Sequence, residues 1–253
     1  MGMPVWRELG RAEDLDLDFE HASRASTVSR LLAQRGMDSD EAMGEAWAWR
    51  LTLGYRIGAV ATIVEATLNT ATLDIVLECA AESCRAPFQV ALPLAALRDL
   101  GDAAQRQPIF DVTIEGRAPV RVHRPTGDDV RRWQAHDYAS VEAAESIVLE
   151  SLVDMLAPPL ADTEITALSS AIEEADPLPS FAVNCTCPEC GAAWSYDVDL
   201  EKVLCARLAQ QQRELIAEVH ALAASYGWSE PEVLRLPPWR RRAYLERIGT
   251  GPA

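Results

Sequence analysis

The chain has 253 residues, of which 49% are hydrophobic and 25% are charged, a composition typical of a globular protein and not of a disordered one. Its 23 basic and 39 acidic residues give a net charge of −16, which disfavours sequence-independent binding to the phosphates of nucleic acid. The first 20 residues lack the basic start and apolar core of a signal peptide, and the most apolar stretch, residues 57–68, is far shorter than the ~20 residues that span a bilayer. We therefore expect a cytoplasmic protein without membrane contact.

The N-terminal part of the chain is predicted to hold an arm, a helical region and two strands. Residues 1–20 carry six acidic side chains and are predicted to form an extended acidic arm. From residue 21 to about residue 67, apolar residues recur at helical spacing. Residues 73–77 and 88–94 are predicted as strands on either side of a cysteine pair, and the helix after them is predicted to close at Gly101.

The middle of the chain combines two strands with an acidic helical region. Residues 109–114 and 120–123 are predicted as strands, and Thr126 or Asp128 is the expected N-cap of the helix that follows. From residue 133 to residue 201 there are 14 acidic residues and no lysine or arginine. Two amphipathic helices are predicted within this region, one on each side of a Pro–Pro pair.

The last third of the chain is predicted to contain a second cysteine hairpin and the longest helix. Strands at 181–183 and 194–198 flank the second cysteine group. A helix is predicted over about residues 199–226, ended by Gly227. Ser229 begins a capping box for a short helix, and a final basic helix follows it.

An internal near-repeat relates the two cysteine segments. When Cys84 is aligned with Cys190, an alternating strand and then a helix follow each cysteine at the same offset. The sequence therefore predicts an α+β, helix-rich fold with two Cys-tipped β-hairpins that form a zinc-ribbon-like element, and a C-terminal helical segment. The predicted divisions are an acidic arm, 1–20; an α+β half with the first Cys hairpin, 21–135; acidic helices with the second Cys hairpin, 136–200; and C-terminal helices with a Trp/Arg-rich end, 201–253.

The six cysteines point to a metal site, because disulfides are rare in cytoplasmic proteins. Cys187 and Cys190 are separated by two residues and followed by Gly191, which tolerates the positive φ of a tight metal-binding turn. Structural zinc takes four ligands, and Cys79 and Cys84 supply the other two. We expect one structural Zn²⁺ bound by these four thiolates, with no open coordination position for catalysis.

Two alternatives to this ligand set follow from the same residues. Cys185 could replace Cys187 as the partner of Cys190, although its place at the end of a predicted strand favours a position in the core or directly behind the metal ligands. The cysteines could also be free thiols, since the first pair is widely spaced and the two pairs lie far apart in the sequence. Cys205, on the predicted long helix, is expected to be a small core residue.

The sequence contains no recognisable catalytic motif. The four histidines are scattered, no serine or cysteine nucleophile lies in a known motif, and no glycine-rich loop follows a predicted strand. The many carboxylates lie on amphipathic helices, where they usually form a solvated face. We therefore expect a non-enzymatic protein without a small-molecule substrate.

The C-terminal segment is basic and aromatic within an acidic chain. Tryptophan, tyrosine and arginine dominate protein–protein hot spots, because each combines a large contact area with a hydrogen-bonding tip. We predict that this segment binds a partner; the alternative is an ordinary helix end that packs on its own domain. The predicted partner-binding residues are Tyr226, Trp228, Arg235, Trp239, Arg240, Arg241, Arg242 and Tyr244.

Four segments of the chain are similar to parts of one protein family. Residues 218–245 read EVHALAASYGWSEPEVLRLPPWRRRAYL, and the second cysteine pair lies in the turn Cys-Pro-Glu-Cys-Gly. With residues 53–56 and 124–128, these segments resemble the baseplate hub assembly protein family of contractile phage tails of the T-even type and of related extracellular contractile injection systems. Residues 218–245 carry the strongest part of this resemblance.

The resemblance implies a baseplate protein, or an assembly chaperone of the baseplate hub, in a phage tail-like particle. Such a protein would be non-enzymatic and cytoplasmic, and would bind other baseplate, hub or spike proteins of the contractile tail. The alternative function is a zinc-ribbon regulatory protein that binds nucleic acid. The net charge of −16 and the lack of a basic stripe near the cysteines disfavour that alternative.

Overall fold

Helices dominate the structure, and the strands form short antiparallel sheets. The computed structural model describes residues 4–38, 41–114, 118–153 and 161–249. The helices are α1 Arg24–Arg35, α2 Glu45–Trp49, α3 Leu53–Leu68, α4 Leu94–Arg106, α5 Gly127–Gln134, α6 Val141–Ser151, α7 Asp162–Ala175, α8 Leu200–Tyr226, α9 Glu230–Leu234 and α10 Pro238–Gly249. The strands are β1 Val5–Trp6, β2 Gly36–Asp38, β3 Glu41–Ala42, β4 Thr72–Glu78, β5 Pro87–Pro93, β6 Ile109–Val112, β7 Val120–His123, β8 Ala182–Thr186 and β9 Ala193–Asp197. None of the helices in these ranges is long and apolar enough to cross a membrane.

Three hairpins and one small sheet account for the strands. β4 pairs with β5, β6 with β7 and β8 with β9, while β1, β2 and β3 form a separate sheet in that order. In the first Cys hairpin Ile75 lies opposite Val90, and in the second Cys185 lies opposite Trp194. A helix follows each Cys hairpin, α4 after β5 and α8 after β9. The prediction of an α+β, helix-rich fold with two Cys-tipped hairpins brought together is confirmed.

The main core surrounds α3, which lies between α1, α4 and α8. Val60, Ile63 and Val64 of α3 are completely buried. The inner faces of the hairpins β4–β5 and β8–β9 close the same core, with Leu73 on one hairpin and Val183 on the other. Since burying an aliphatic side chain of this size contributes about 1.5–3 kcal/mol, this shared core stabilises the packing of the two hairpins.

The packing of α3 against α4 corrects the predicted end of α4. The helix does not close at Gly101 but continues to Arg106. A Cβ atom at Gly101 would lie 2.7 Å from the carbonyl oxygen of Gly54 and 3.1 Å from the Cα atom of Gly58. The glycine therefore permits close contact between two helix backbones, and it does not end a helix.

The predicted helical region from residue 21 to 67 is interrupted in the structure. α1 ends at Arg35, the chain enters β2 at Gly36, and two further helices follow β3. A Cβ atom at Gly36 would lie 3.0 Å from the ring of Trp6, so the chain crosses close to β1 at this point. The apolar spacing fitted a helix because the residues of α1 and α3 face the same core, but the spacing does not reveal the breaks between them.

The N-terminal segment lies against the main core. Leu9 and Leu17 are buried in it, and the 3-10 turn Ala12–Asp14 lies between them. The carboxylate of Asp14 is buried and lies 2.9 Å from a guanidinium nitrogen of Arg35 on α1. These contacts hold residues 9–17, from the segment expected to be an acidic arm, on the body of the protein.

Two smaller cores complete the fold. One lies between the β6–β7 hairpin and the helices α6 and α7, and the other between the end of α8, α9 and α10. Thr126 is the N-cap of α5, one of the two residues expected there. Residues 115–117, between β6 and β7, and the proline pair expected between the acidic helices lie outside the described residues.

Asp176, just after α7, ties the second core to the main one. Its carboxylate oxygen Oδ2 accepts a hydrogen bond of 3.1 Å from the backbone N–H of Gly54, in the first turn of α3. Burial raises the pKa of Asp176, and the Gly54 N–H and the nearby Arg124 guanidinium oppose that rise. Because both groups favour the carboxylate form, they compensate part of the cost of burying this charge.

Candidate metal centre

Four cysteine sulfurs meet where the tips of the two hairpins come together. The sulfurs of Cys79, Cys84, Cys187 and Cys190 all lie within 4.8 Å of one another. Cys79 is 3.6 Å from Cys190, and Cys84 is 3.9 Å from Cys187. Both of these short distances cross from one hairpin to the other, so the group exists only when the two hairpins are packed together.

The spacing of the sulfurs fits a metal ion better than a disulfide. A disulfide requires sulfurs about 2.05 Å apart, and all the cysteines of the protein are free. Zn–S bonds of about 2.3 Å place the sulfurs of a tetrahedral site about 3.8 Å apart. The cross-hairpin distances of 3.6 and 3.9 Å lie on either side of that value. The four cysteines can therefore hold a metal ion.

The two turns that present the cysteines have matching backbone conformations. In the second hairpin the N–H of Gly191 donates to the carbonyl of Cys187, and Gly191 has φ 72°. In the first hairpin the residue in the same place after the second cysteine is Arg85, which has φ 53°. Glycine adopts this left-handed conformation without steric cost, whereas arginine does not. Comparison of the two cysteine pairs in the sequence could have revealed this strained position.

Backbone N–H groups and the neighbouring thiols set the charge of the cluster. The N–H of Cys190, followed by that of Glu189, lowers the pKa of Cys187 to about 7. The N–H of Ala81 acts in the same direction on Cys79, but burial and the adjacent thiols outweigh it and raise the pKa of Cys79 to about 12. Four thiolates this close would repel one another, and a cation bound between them would favour the loss of their protons.

Aromatic and backbone contacts join the hairpins beside the sulfurs. Phe88 of β5 and Tyr196 of β9 meet edge to face, with ring centroids 6.0 Å apart. The hydroxyl oxygen of Tyr196 accepts a hydrogen bond of 3.3 Å from the backbone N–H of Ala80, next to Cys79. Neither contact is predictable from the sequence, since both depend on how the hairpins face each other.

The remaining cysteines lie outside the cluster. Cys185 is half-buried on β8 and does not belong to the group of four, so the structure brings Cys187 and not Cys185 to the other ligand candidates. Cys205 is buried in the main core on α8, as expected for a small core residue. Burial raises the pKa of Cys205 to about 12, which keeps it a thiol at neutral pH.

Comparison with known proteins does not identify a function for this group of cysteines. No family model, curated protein or solved structure matches the chain. The function must therefore be inferred from the residues and their geometry.

The predicted partner-binding residues divide into a packed group and an exposed group. Trp228 and Tyr244 are half-buried in the C-terminal core, where their rings meet edge to face at 5.0 Å. The ring of Tyr226, which is partly exposed, stacks on Trp228 at 4.7 Å. Arg241 is only 6% exposed, and its guanidinium donates to Glu218 at 3.0 Å and to the carbonyl of Leu236 at 2.9 Å. These residues hold the C-terminal helices together.

The exposed group forms a surface that we call the Trp239 surface, which consists of Arg235, Trp239, Arg240 and Arg242. The side chain of Trp239 is 70% exposed, and the three arginines are also exposed. Arg240 lies over the ring of Tyr244, with its guanidinium carbon 5.7 Å from the ring centroid. A large aromatic side chain in solvent among arginines is the composition typical of a protein-binding surface.

Proposed function

We propose that the four cysteines bind one structural Zn²⁺ and that the protein is non-enzymatic. The support for zinc is the donor set, since four cysteine sulfurs within 4.8 Å of one another are the ligand set typical of structural zinc sites. Zinc bound to four thiolates has no free position for water or substrate, so the ion would serve the fold and not a reaction. The ion would join the two hairpins, which are far apart in the sequence.

The protein would act by binding other proteins through the Trp239 surface. The observation that carries this proposal is the 70% exposed Trp239 beside exposed arginines, on a chain with a net charge of −16. Transfer of an indole ring from water to a partner is favourable, and the arginines would form charge-assisted hydrogen bonds with an acidic partner.

The partner class is proposed from the resemblance of residues 218–245 to the baseplate hub assembly family. On that basis the partners are other baseplate, hub or spike proteins of a contractile tail-like particle. The protein would be either a permanent baseplate subunit or a transient assembly chaperone. Its presence in purified sheathed particles would identify a subunit, and its absence from them would identify a chaperone.

The test combines a gene deletion with complementation in the cells that make the particle. We expect that cells without the protein assemble few sheathed particles, and that wild-type protein restores them. Trp239→Ala and the double variant Arg240→Glu, Arg242→Glu should fold normally but fail to restore assembly, because both change only exposed side chains. Particles counted by electron microscopy are the measurement.

The matched control is Arg247→Glu, which reverses an exposed charge on the same helix away from Trp239 and should restore assembly. Normal particle numbers in the deletion strain would contradict the proposed function. A salt-dependent gel shift with DNA or RNA that is lost in the Arg240→Glu, Arg242→Glu variant would instead support the nucleic-acid alternative.

A further inference from the structure

The first Cys hairpin has one strand edge that is open for pairing. Within the described residues no strand other than β5 pairs with β4. The N–H of Leu94 donates to the carbonyl of Ala71, and the N–H of Cys79 donates to the carbonyl of Ala86. The hydrogen-bonding direction of the backbone alternates along a strand. The backbone N–H and carbonyl groups of odd-numbered residues in β4 therefore point to β5, and those of even-numbered residues point to the other edge.

Part of that edge is already occupied by side chains. The backbone N–H and carbonyl of Thr72 are both bonded to the hydroxyl of Thr70. The carbonyl of Asp74 accepts a hydrogen bond of 2.8 Å from Arg207 on α8. The open part of the edge therefore runs from the N–H of Asp74 through Val76 to Glu78.

The outer edge of β5 differs from that of β4, because prolines on it prevent pairing with another strand. In the same alternation, the residues of β5 that face outward are odd-numbered, and they include Pro87 and Pro93. Proline has no N–H to donate, and proteins place it on edge strands to prevent pairing with other chains. β4 has no proline, and at its centre Val76 is 73% exposed.

A groove runs along this edge between β4 and α8. It has a volume of about 610 Å³, and Ile75, Val76, Val203 and Ala206 contribute apolar side chains to it. A strand hydrogen-bonded to β4 would lie in this space, with alternate side chains directed toward α8 and toward solvent.

The charges on the two sides of the groove favour one kind of occupant. Lys202, Arg207 and Arg213 line the α8 side, and all three are exposed. Asp197 and Asp199 line the end of the groove next to β9, where Asp199 lies 2.9 Å from a guanidinium nitrogen of Arg24. Asp74 and Glu78 lie on the outer face of β4. Opposite charges in facing positions stabilise a strand pair, so an added strand should direct acidic or apolar side chains to α8 and basic ones outward.

The same charges argue against a second copy of this chain as the occupant. If β4 paired with β4 of another copy symmetrically about Val76, Asp74 of each copy would lie opposite Glu78 of the other. Like charges in directly facing positions destabilise a strand pair.

We propose that the β4 edge is a docking site for an extended segment of a partner protein, which adds a third strand to the β4–β5 hairpin. The segment alternates basic side chains on one face with acidic and apolar side chains on the other. This site lies on a different part of the chain from the Trp239 surface, and it does not depend on the proposed function.

The probe is a nine-residue peptide in which arginine occupies every second position and valine and glutamate alternate in the others. Binding is measured by isothermal titration in physiological salt. A peptide of the same composition, with its arginines in one block, is the comparison. We expect saturable binding of the alternating peptide only, because the block peptide cannot match the two sides of the groove.

Val76→Pro tests the edge directly, because it removes an outward-facing N–H and no hydrogen bond to β5. The matched control is Gln89→Pro, at the position that pairs with Val76 and faces the outer edge of β5. We expect Val76→Pro to weaken binding at least about tenfold, through the lost hydrogen bond and the steric effect of the ring, and Gln89→Pro to leave binding unchanged. Equal melting temperatures of the two variants would show that both are folded.

Lys202 locates the bound peptide, since it is the only lysine in the sequence. Acylation of Lys202 by an amine-specific reagent, followed by mass spectrometry, should slow when the alternating peptide is bound. The proposal is overturned if the alternating peptide does not bind, if the block peptide binds as tightly, if both proline variants bind equally, or if Lys202 is not protected. A dimer that Val76→Pro abolishes would also overturn it, because the occupant would then be a second copy.

Discussion

Single charged side chains inside this protein are held by several hydrogen bonds each. Arg56 is almost completely buried, and its guanidinium donates to the hydroxyl of Ser29 and to the carbonyls of Ala25 and Ala48. Burial lowers the pKa of Arg56, but these acceptors and the ring of Trp49, 5.4 Å away, stabilise its charged form. Such networks are not visible in a sequence, because their members come from different elements.

The buried carboxylate of Asp129 leads to a prediction about stability for a single residue. Burial alone would raise its pKa, but hydrogen bonds from His123 and Thr126 outweigh burial and hold the pKa well below its usual value. It also accepts hydrogen bonds from the backbone N–H of Thr126 at 2.8 Å and from Arg132. We expect Asp129→Asn to lower the free energy of unfolding by about 2 kcal/mol at pH 7, because the asparagine loses the charge-assisted bonds.

The pH dependence of Asp129 has a definite sign. A carboxylate whose pKa is lower in the folded state stabilises the protein above its unfolded pKa near 4, and this contribution disappears as the pH falls below that value. The difference between wild type and Asp129→Asn, measured by urea unfolding, should therefore shrink below about pH 4. Asp128→Asn is the control, since Asp128 is paired with Arg131, whose side chain is exposed, and its effect should stay within about 0.5 kcal/mol.

The two positive-φ positions beside the cysteines should respond in opposite directions to substitution. Arg85→Gly should stabilise the protein by about 0.5–1 kcal/mol, because glycine relieves the strain of φ 53°. Gly191→Ala should destabilise it by about 1 kcal/mol, since a Cβ is disfavoured at φ 72°. Thermal unfolding of both variants is the measurement, and a lower melting temperature for Arg85→Gly would contradict the account of the first turn.

Local sequence patterns predicted the hairpins but not the end of α4. The hairpins were predictable because their strands alternate between a buried and an exposed face, which is a local property of the chain. The end of α4 was not predictable, because Gly101 has the same local signature whether it closes a helix or touches a second one. Only contact with Gly54 and Gly58 of α3 distinguishes the two cases.

The contact between α3 and α4 predicts a matched pair of glycine substitutions. Gly101→Ala should destabilise the protein by about 1–3 kcal/mol, because its Cβ would meet backbone atoms that cannot move aside. The steric destabilisation should outweigh the stabilisation of about 1 kcal/mol that alanine, compared with glycine, gives at an exposed helix position. Gly249→Ala, at the exposed end of α10 and with no atom within 4 Å of the added Cβ, should change stability by less than about 0.5 kcal/mol in the same denaturation experiment.

The sequence predicted the members of the candidate site better than it predicted their surroundings. The four cysteines were identified from their spacing, and the structure brings them together. The division of the C-terminal residues was not foreseen, since Arg241 and Arg242 are adjacent yet only Arg241 is buried. Its burial depends on Glu218 of α8, which the arginine pattern alone does not indicate.

At the scale of the whole molecule, the cysteine cluster joins parts of the chain that are more than 100 residues apart. Both hairpins also pack on the main core, so metal binding and folding should be coupled. We expect Cys187→Ser to lose most of its zinc and to melt at a lower temperature. Cys205→Ala, which replaces a cysteine of the same core outside the cluster, should keep its zinc and lose less stability.

The most direct test of the metal centre is the zinc content of the wild-type protein, purified without chelators and measured by inductively coupled plasma mass spectrometry. The four converging sulfurs predict about one zinc ion per chain. A content near zero, in protein whose cysteines are shown to be reduced, would contradict the zinc centre and the role proposed for it in joining the two hairpins.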